Sequence, residues 1–136
     1  MTTRHTATGT FEVSLAPLET YADAKATKIG RMSIDKTLAG DLAGSSVGEM
    51  LSGGSPAEGS AGYVAIERVT GTLHGRQGSF LLQHLATMTP ESQQQTIQVV
   101  PGSGTGELTG IAGDFVIEID QGEHSYRFEY TLPKTD

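Results

Sequence analysis

The chain has 136 residues, with 9 Lys and Arg against 16 Asp and Glu, which gives a formal charge of −7 at neutral pH. This length fits one domain, which we place over residues 1–136. The acidic balance argues against a nucleic-acid partner, because such proteins need a basic face to replace the counterions of the phosphates. The absence of Cys excludes disulfides, thiolate metal sites and Cys nucleophiles.

Targeting and membrane signals are absent from the sequence. The N-terminus is polar, without the apolar segment of a signal peptide. The uncharged apolar runs are only a few residues long, whereas a membrane-spanning helix needs about 20 apolar residues. We therefore expect no membrane partner and a cytoplasmic location.

Short runs of β-forming residues alternate with glycine-rich links along the chain. The eight predicted strands cover residues 8–15, 28–38, 45–51, 63–73, 79–88, 96–100, 108–119 and 126–132. The link 16–28 fits a short helix or a loop equally well, and 52–60 has the Gly, Ser and Pro content of a flexible loop. Parallel strands would need crossover helices, for which the links leave no room. The sequence thus predicts an all-β, eight-stranded antiparallel meander that closes into a barrel.

Two local motif matches carry little weight. Gly44–Gly48 fits G-x-S-x-G, but a nucleophile elbow needs a strand-to-helix turn in a large α/β sheet, and these flanks are strand-like. The loop 101–106 is glycine-rich, yet it lacks the Lys and the helix of a phosphate-binding loop, so it is interpreted as a wide turn. The four His residues do not have the spacing of a local metal site, and we expect neither a metal nor a cofactor.

The strongest polar constellation lies on the fourth and fifth predicted strands. Glu67 precedes Arg68 there, and Gln83 precedes His84, all among apolar residues. Because neighbours in a strand face opposite sides, only one member of each pair faces the interior. Two interpretations remain open. The polar residues pair on the outer surface, or Glu67 with His84, or Arg68 with Gln83, forms a polar cluster in a cavity.

A longer stretch resembles a known family. Residues 62–84, with the core ERVTGTLHGRQGSFLLQH, and residues 99–113, VVPGSGTGELTGIAG, resemble the bacterial family called domain of unknown function 3224. Residues 9–13 and 126–132 also fit. The resemblance implies a small barrel similar to allene oxide cyclase, itself lipocalin-like. Such barrels bind apolar substrates and steer them mainly by shape, but no cyclase motif is present here.

Three functions follow as hypotheses, and whether the protein is an enzyme stays open. The first is a barrel that binds a small, largely apolar metabolite. The second is a cofactor-free isomerase or cyclase, with Glu67 and His84 as catalytic residues and Tyr63, Arg68 and Gln83 as ligand-binding residues. The third is a structural homo-oligomer, a dimer or trimer, assembled through an apolar strand face.

Overall fold

The computed structural model describes residues 2–133 and shows one closed antiparallel barrel in meander order. Its eight strands are β1 (Thr2–Leu18), β2 (Ile29–Gly40), β3 (Leu42–Ser55), β4 (Ser60–Leu73), β5 (Arg76–Met88), β6 (Gln93–Val99), β7 (Ala112–Asp120) and β8 (Glu123–Pro133). Each strand pairs with its chain neighbours, and β8 pairs with β1 to close the ring. The all-β barrel predicted from the sequence is confirmed. Within the described residues, no helix is long and apolar enough to cross a membrane.

Several predicted boundaries are wrong. The seventh strand begins at Ala112, not at 108, because Gly106–Leu108 form a single 3-10 turn that inserts Leu108 into the core. The loop predicted over 52–60 is shorter, since β3 continues to Ser55 and only the 3-10 turn Pro56–Glu58 and Gly59 separate it from β4. The link after β1 contains a one-turn helix, α1 (Ala24–Thr27), whose first turn is capped by the Asp23 side chain.

Two tight hairpins show how a chain without Asn makes its turns. His74 and Gly75 connect β4 to β5 with φ values of 48° and 81°, and Gln121 and Gly122 connect β7 to β8 with 51° and 81°. Two consecutive positive φ angles define the turn type that matches strand twist and that usually takes Asn-Gly. His and Gln therefore occupy positions at which Asn is the common choice.

One end of the barrel, which we call the filled end, holds the main core. Aromatic rings from three strands pack against each other there, with ring centroids 5.2–5.5 Å apart; they are Phe80, Phe115, Tyr126, Phe128 and Tyr130. The hydroxyl of Tyr126 accepts a hydrogen bond from the Leu42 N–H at 2.8 Å, which ties the β2–β3 turn to the core. Tyr126, Phe128 and Tyr130 alternate along β8 and are all buried, so the last strand presents an inward aromatic stripe.

The other end, which we call the open end, exposes residues that face inward. Along β1, Phe11 is buried, Val13 is half-buried and Leu15 is 46% exposed, although all three point to the same side of the strand. Along β7, Phe115 is buried and Ile119 is 66% exposed. Further inward-facing residues at this end are only partly covered; they are Met32, Met50, Tyr63, Met88 and Ile117. Apolar side chains that face the barrel interior are thus reachable by solvent at this end.

Candidate functional site

The candidate site is centred on Glu67, an acidic side chain that is 1% exposed inside the barrel. Glu67 has the inward orientation of its strand neighbours Ala65 and Val69, which are buried core residues. It pairs with Gly48 on β3. A Cβ atom at position 48 would lie 2.6 Å from the Cα of Glu67, so glycine is needed for the close approach of the two strands.

Three side chains from three other strands meet the Glu67 carboxylate. His84 on β5 places Nε2 at 2.5 Å from Oε2, and Lys36 on β2 places Nζ at 2.9 Å from the same oxygen. Ser46 on β3 donates its hydroxyl to Oε1 at 2.8 Å. We call these four buried residues the carboxylate cluster. Every carboxylate oxygen in it has a partner, which is the condition for burying charge without a large cost.

The cluster keeps Glu67 ionised. Burial alone would raise the pKa of Glu67, but the hydrogen bond from His84 and the positive charge of Lys36 outweigh it and lower the pKa from 4.5 to about 2. Lys36 also makes a cation–π contact with Phe11, since its Nζ lies 4.8 Å from the centroid of that ring. A carboxylate and an ammonium group therefore face each other inside the barrel at neutral pH.

The second ring nitrogen of His84 has no partner in the cluster. His84 pairs with Ala65 and Glu67 pairs with Leu82, so His84 lies one step nearer the open end. Within residues 2–133, no enclosed side-chain N or O atom lacks a hydrogen-bond partner, and the bond that His84 makes there is through Nε2. Nδ1 is therefore not fully enclosed, although His84 as a whole is only 4% exposed. The centroid of the Tyr63 ring lies 6.3 Å from that of the His84 ring.

The structure brings together some of the sequence-predicted site residues and separates others. Glu67 and His84 form the inward pair, one of the two interpretations that the sequence left open. Tyr63 is half-buried at the open end and accepts a hydrogen bond from Gln95 at 2.9 Å. Arg68 and Gln83 are exposed on the outside of the barrel. Arg68 directly follows the inward Glu67 and Gln83 directly precedes the inward His84, and neighbours in a strand face opposite sides. The interpretation in which Arg68 and Gln83 form a polar cluster in a cavity is therefore wrong, and their role in ligand binding stays a prediction.

Sequence reasoning missed Lys36 and Ser46. Every second residue of β2 faces inward, and Lys36 lies two positions from each of the core residues Ile34 and Leu38. This spacing could have predicted an inward lysine. Ser46 is the serine of the G-x-S-x-G match, and it lies inside β3 with its hydroxyl bonded to Glu67. This confirms that the match is not a nucleophile elbow.

A second polar group lies at the filled end. His74 Nδ1 and the Tyr130 hydroxyl are hydrogen-bonded, His74 Nε2 lies 3.6 Å from Asp41, and the His5 ring lies 5.2 Å from Tyr130. Burial raises the pKa of Tyr130, so its hydroxyl stays protonated. Among the described residues, no group of three or more His, Cys, Asp or Glu is arranged to hold a metal ion.

A large groove lies on the outside of the barrel, and its lining includes one member of the carboxylate cluster, His84. It has a volume of about 680 Å³ and crosses β3, β4 and β5. Its apolar lining is Leu51, Val64, Ile66 and Leu85, whose orientation is opposite to that of Glu67. We call these four residues the outer apolar face.

Comparisons with known proteins agree on one relationship. A family model described as "Protein of unknown function (DUF3224)" matches residues 7–130. The chain is also similar to a crystal structure of a protein of unknown function from the DUF3224 family of Shewanella oneidensis MR-1. The two share 46% identity with a TM-score of 0.90, over 98% of this chain and 100% of that one. A search of curated proteins found no match.

Proposed function

Because the chain belongs to the DUF3224 family, whose description states no activity, we propose a function from the geometry: the open end of the barrel binds a small, largely apolar molecule. The observation that carries this proposal is the exposure of inward-facing apolar side chains, above all Leu15 at 46% and Ile119 at 66%. A small barrel can be filled by its own side chains or can hold one ligand. Here the filling stops before the open end.

The carboxylate cluster supports the same proposal. Buried ion pairs contribute little to stability, because removing two charges from water costs about as much as their attraction returns. A buried Glu, Lys and His beneath an apolar opening are therefore better explained by a polar contact to a ligand than by folding. The carboxylate cluster would offer a bound ligand a polar contact at the floor of a largely apolar site.

A fluorescent apolar probe, N-phenyl-1-naphthylamine, tests this proposal. We expect the wild-type protein to raise its fluorescence saturably, and Ile119→Glu to abolish the effect, because a charge at the open end opposes entry of an apolar molecule. Val47→Glu is the matched control, since Val47 is exposed to a similar extent, 59%, but faces outward and lies outside the outer apolar face. Equal loss in both variants, or no binding by the wild type, contradicts the proposal.

The second candidate function is a cofactor-free isomerase or cyclase. It is favoured by the contact between His84 Nε2 and Glu67 Oε2, in which a carboxylate orients an imidazole whose other nitrogen has no partner in the cluster and is not fully enclosed. This arrangement suits proton transfer at a ligand carbon. Exchange of the α-protons of 2-tetralone with D₂O, followed by NMR, measures that chemistry. We expect faster exchange than in buffer, loss in His84→Ala and retention in Gln83→Ala; a rate equal to buffer contradicts the candidate.

The outer apolar face supports a homo-oligomer as an additional property. The protein carries a charge of −7, so two copies repel each other in general. The groove along this face is also lined by Arg31 and Glu49, whose side chains pair at 2.5 Å, so it does not share the acidic excess. We propose that a second copy covers it. Light scattering after gel filtration should show a dimer or trimer that Ile66→Glu dissociates, and a monomeric wild type contradicts this.

A further inference from the structure

The hydrogen bond between Glu67 and His84 fixes which imidazole nitrogen carries a proton. A carboxylate oxygen only accepts hydrogen bonds, and Glu67 Oε2 accepts from both Lys36 Nζ at 2.9 Å and His84 Nε2 at 2.5 Å. Nε2 must therefore hold a proton. In the neutral ring the other nitrogen then carries a lone pair and no proton, so Nδ1 of His84 is an acceptor.

The position of Nδ1 makes this assignment relevant to a ligand. Nδ1 is not fully enclosed, since no enclosed side-chain N or O within residues 2–133 lacks a partner, and His84 lies nearer the open end than Glu67. The inward-facing neighbours Met50 and Ala65 are apolar, whereas the Tyr63 hydroxyl accepts from Gln95 at 2.9 Å and keeps its own O–H to donate. A donor group of a ligand that reaches the floor of the site therefore meets the Nδ1 lone pair beside the apolar side chains of Met50 and Ala65.

From these contacts we infer that the protein selects ligands that carry a hydrogen-bond donor, a hydroxyl or phenol group, on an apolar body. His84 Nδ1 accepts the hydrogen bond from this donor. The inference rests on the proposed function and names the chemical class of its ligand. The oxygen of a ketone, ether or ester only accepts hydrogen bonds, so at His84 Nδ1 it would face a second acceptor. Two buried acceptors that face each other stay unpaired, which costs binding free energy.

The test uses two aromatic ligands of the same ring system, 1-naphthol and 1-methoxynaphthalene, titrated calorimetrically at pH 8.5. The first has a hydroxyl proton and the second does not. We expect 1-naphthol to bind about tenfold more tightly, the ratio that corresponds to one hydrogen bond in a site otherwise lacking a partner. Equal affinities, or tighter binding of the ether, overturn the inference while leaving the proposed binding function intact. Failure of both ligands to bind instead contradicts the proposed function.

His84→Leu shows whether His84 is the acceptor. This variant keeps an apolar side chain of similar reach, and we expect both ligands to bind it with equal affinity. Gln83→Leu is the control on the outer surface, and it should keep the tenfold preference. A preference that persists in His84→Leu overturns the assignment to Nδ1. The ligand pair tested on the wild type remains decisive if His84→Leu does not fold.

Discussion

The two ends of the barrel are built from the same strands with the same inward parity, yet they are filled differently. At the filled end, Phe80, Phe115 and Phe128 pack ring against ring and Leu108 is inserted from the β6–β7 connection. At the open end, aliphatic side chains such as Leu15 and Ile119 are left in contact with solvent. The carboxylate cluster lies between the two.

This difference separates stability from function along the barrel axis. Dense aromatic packing provides the folding free energy, because buried apolar area is the dominant stabilising contribution. Buried charges and exposed inward aliphatics contribute little to folding, and they are the features expected of a binding site. Substitutions at the filled end should therefore change stability, and those at the open end should change binding.

The largest expected effect is at the filled end. Phe128→Ala removes a fully buried ring that contacts three other aromatic rings. We expect a loss of about 4 kcal/mol of unfolding free energy, from lost burial and the cavity left behind. Urea unfolding followed by circular dichroism measures it, with Val116→Ala on the outside as control. A loss below about 1 kcal/mol would show that this end is not the stability core.

A slightly smaller loss is expected in the cluster. Glu67→Leu leaves the Lys36 ammonium buried without its carboxylate, which should cost about 3 kcal/mol. Adding Lys36→Met to the same chain removes the orphaned charge and should recover most of the loss, which the same urea experiment shows. If the double variant is as unstable as the single one, the penalty does not come from the unpaired ammonium.

Acid should weaken the cluster before it affects the aromatic core. The pKa of Glu67 is about 2 in the folded protein against 4.5 as the ordinary value. The folded state thus holds the proton less tightly than the unfolded state, so stability is complete above about pH 4.5 and falls as the pH drops toward 2. We expect a loss of at most about 3 kcal/mol over this window. Glu67→Gln cannot titrate and should show a flatter pH profile; identical profiles would exclude Glu67 as the cause.

A loss of about 1–2 kcal/mol is expected for Tyr126→Phe. The change keeps the ring but removes the hydroxyl that accepts the Leu42 N–H, so that the amide is left unpaired in a buried turn. Hydrogen exchange of the Leu42 amide should accelerate, while exchange in β5 stays unchanged. Unchanged protection of Leu42 would show that another group takes over the bond.

The smallest effect on stability is expected at the open end. Ile119→Ser shortens a side chain that is already 66% exposed, and it should change the unfolding free energy by less than about 0.5 kcal/mol. Binding of N-phenyl-1-naphthylamine should nevertheless weaken. A stability loss like that of Phe128→Ala would remove the distinction between the two ends.

The sequence predicted the barrel because strand alternation and glycine-containing links are local signals. It identified Glu67 and His84 as a candidate pair for the same reason, since both interrupt apolar strands. It did not determine which of Glu67 and Arg68 faces inward, because strand parity depends on register with neighbouring strands. The contact from Lys36, 31 positions away in the chain, follows only from the pairing of β2, β3 and β4. The start of β7 was missed because the 3-10 turn at Gly106–Leu108 has no strong local signal.

The most direct test of ligand recognition by His84 is the state of its two ring nitrogens, observed by long-range ¹H–¹⁵N NMR at pH 8.5 with and without 1-naphthol. We expect a protonated Nε2 and an unprotonated Nδ1 in the free protein. On addition of 1-naphthol, the Nδ1 resonance should shift, while the amides of the outer apolar face stay in place. A proton on Nδ1 instead of Nε2, or an Nδ1 resonance that does not respond to 1-naphthol, would contradict ligand recognition by His84.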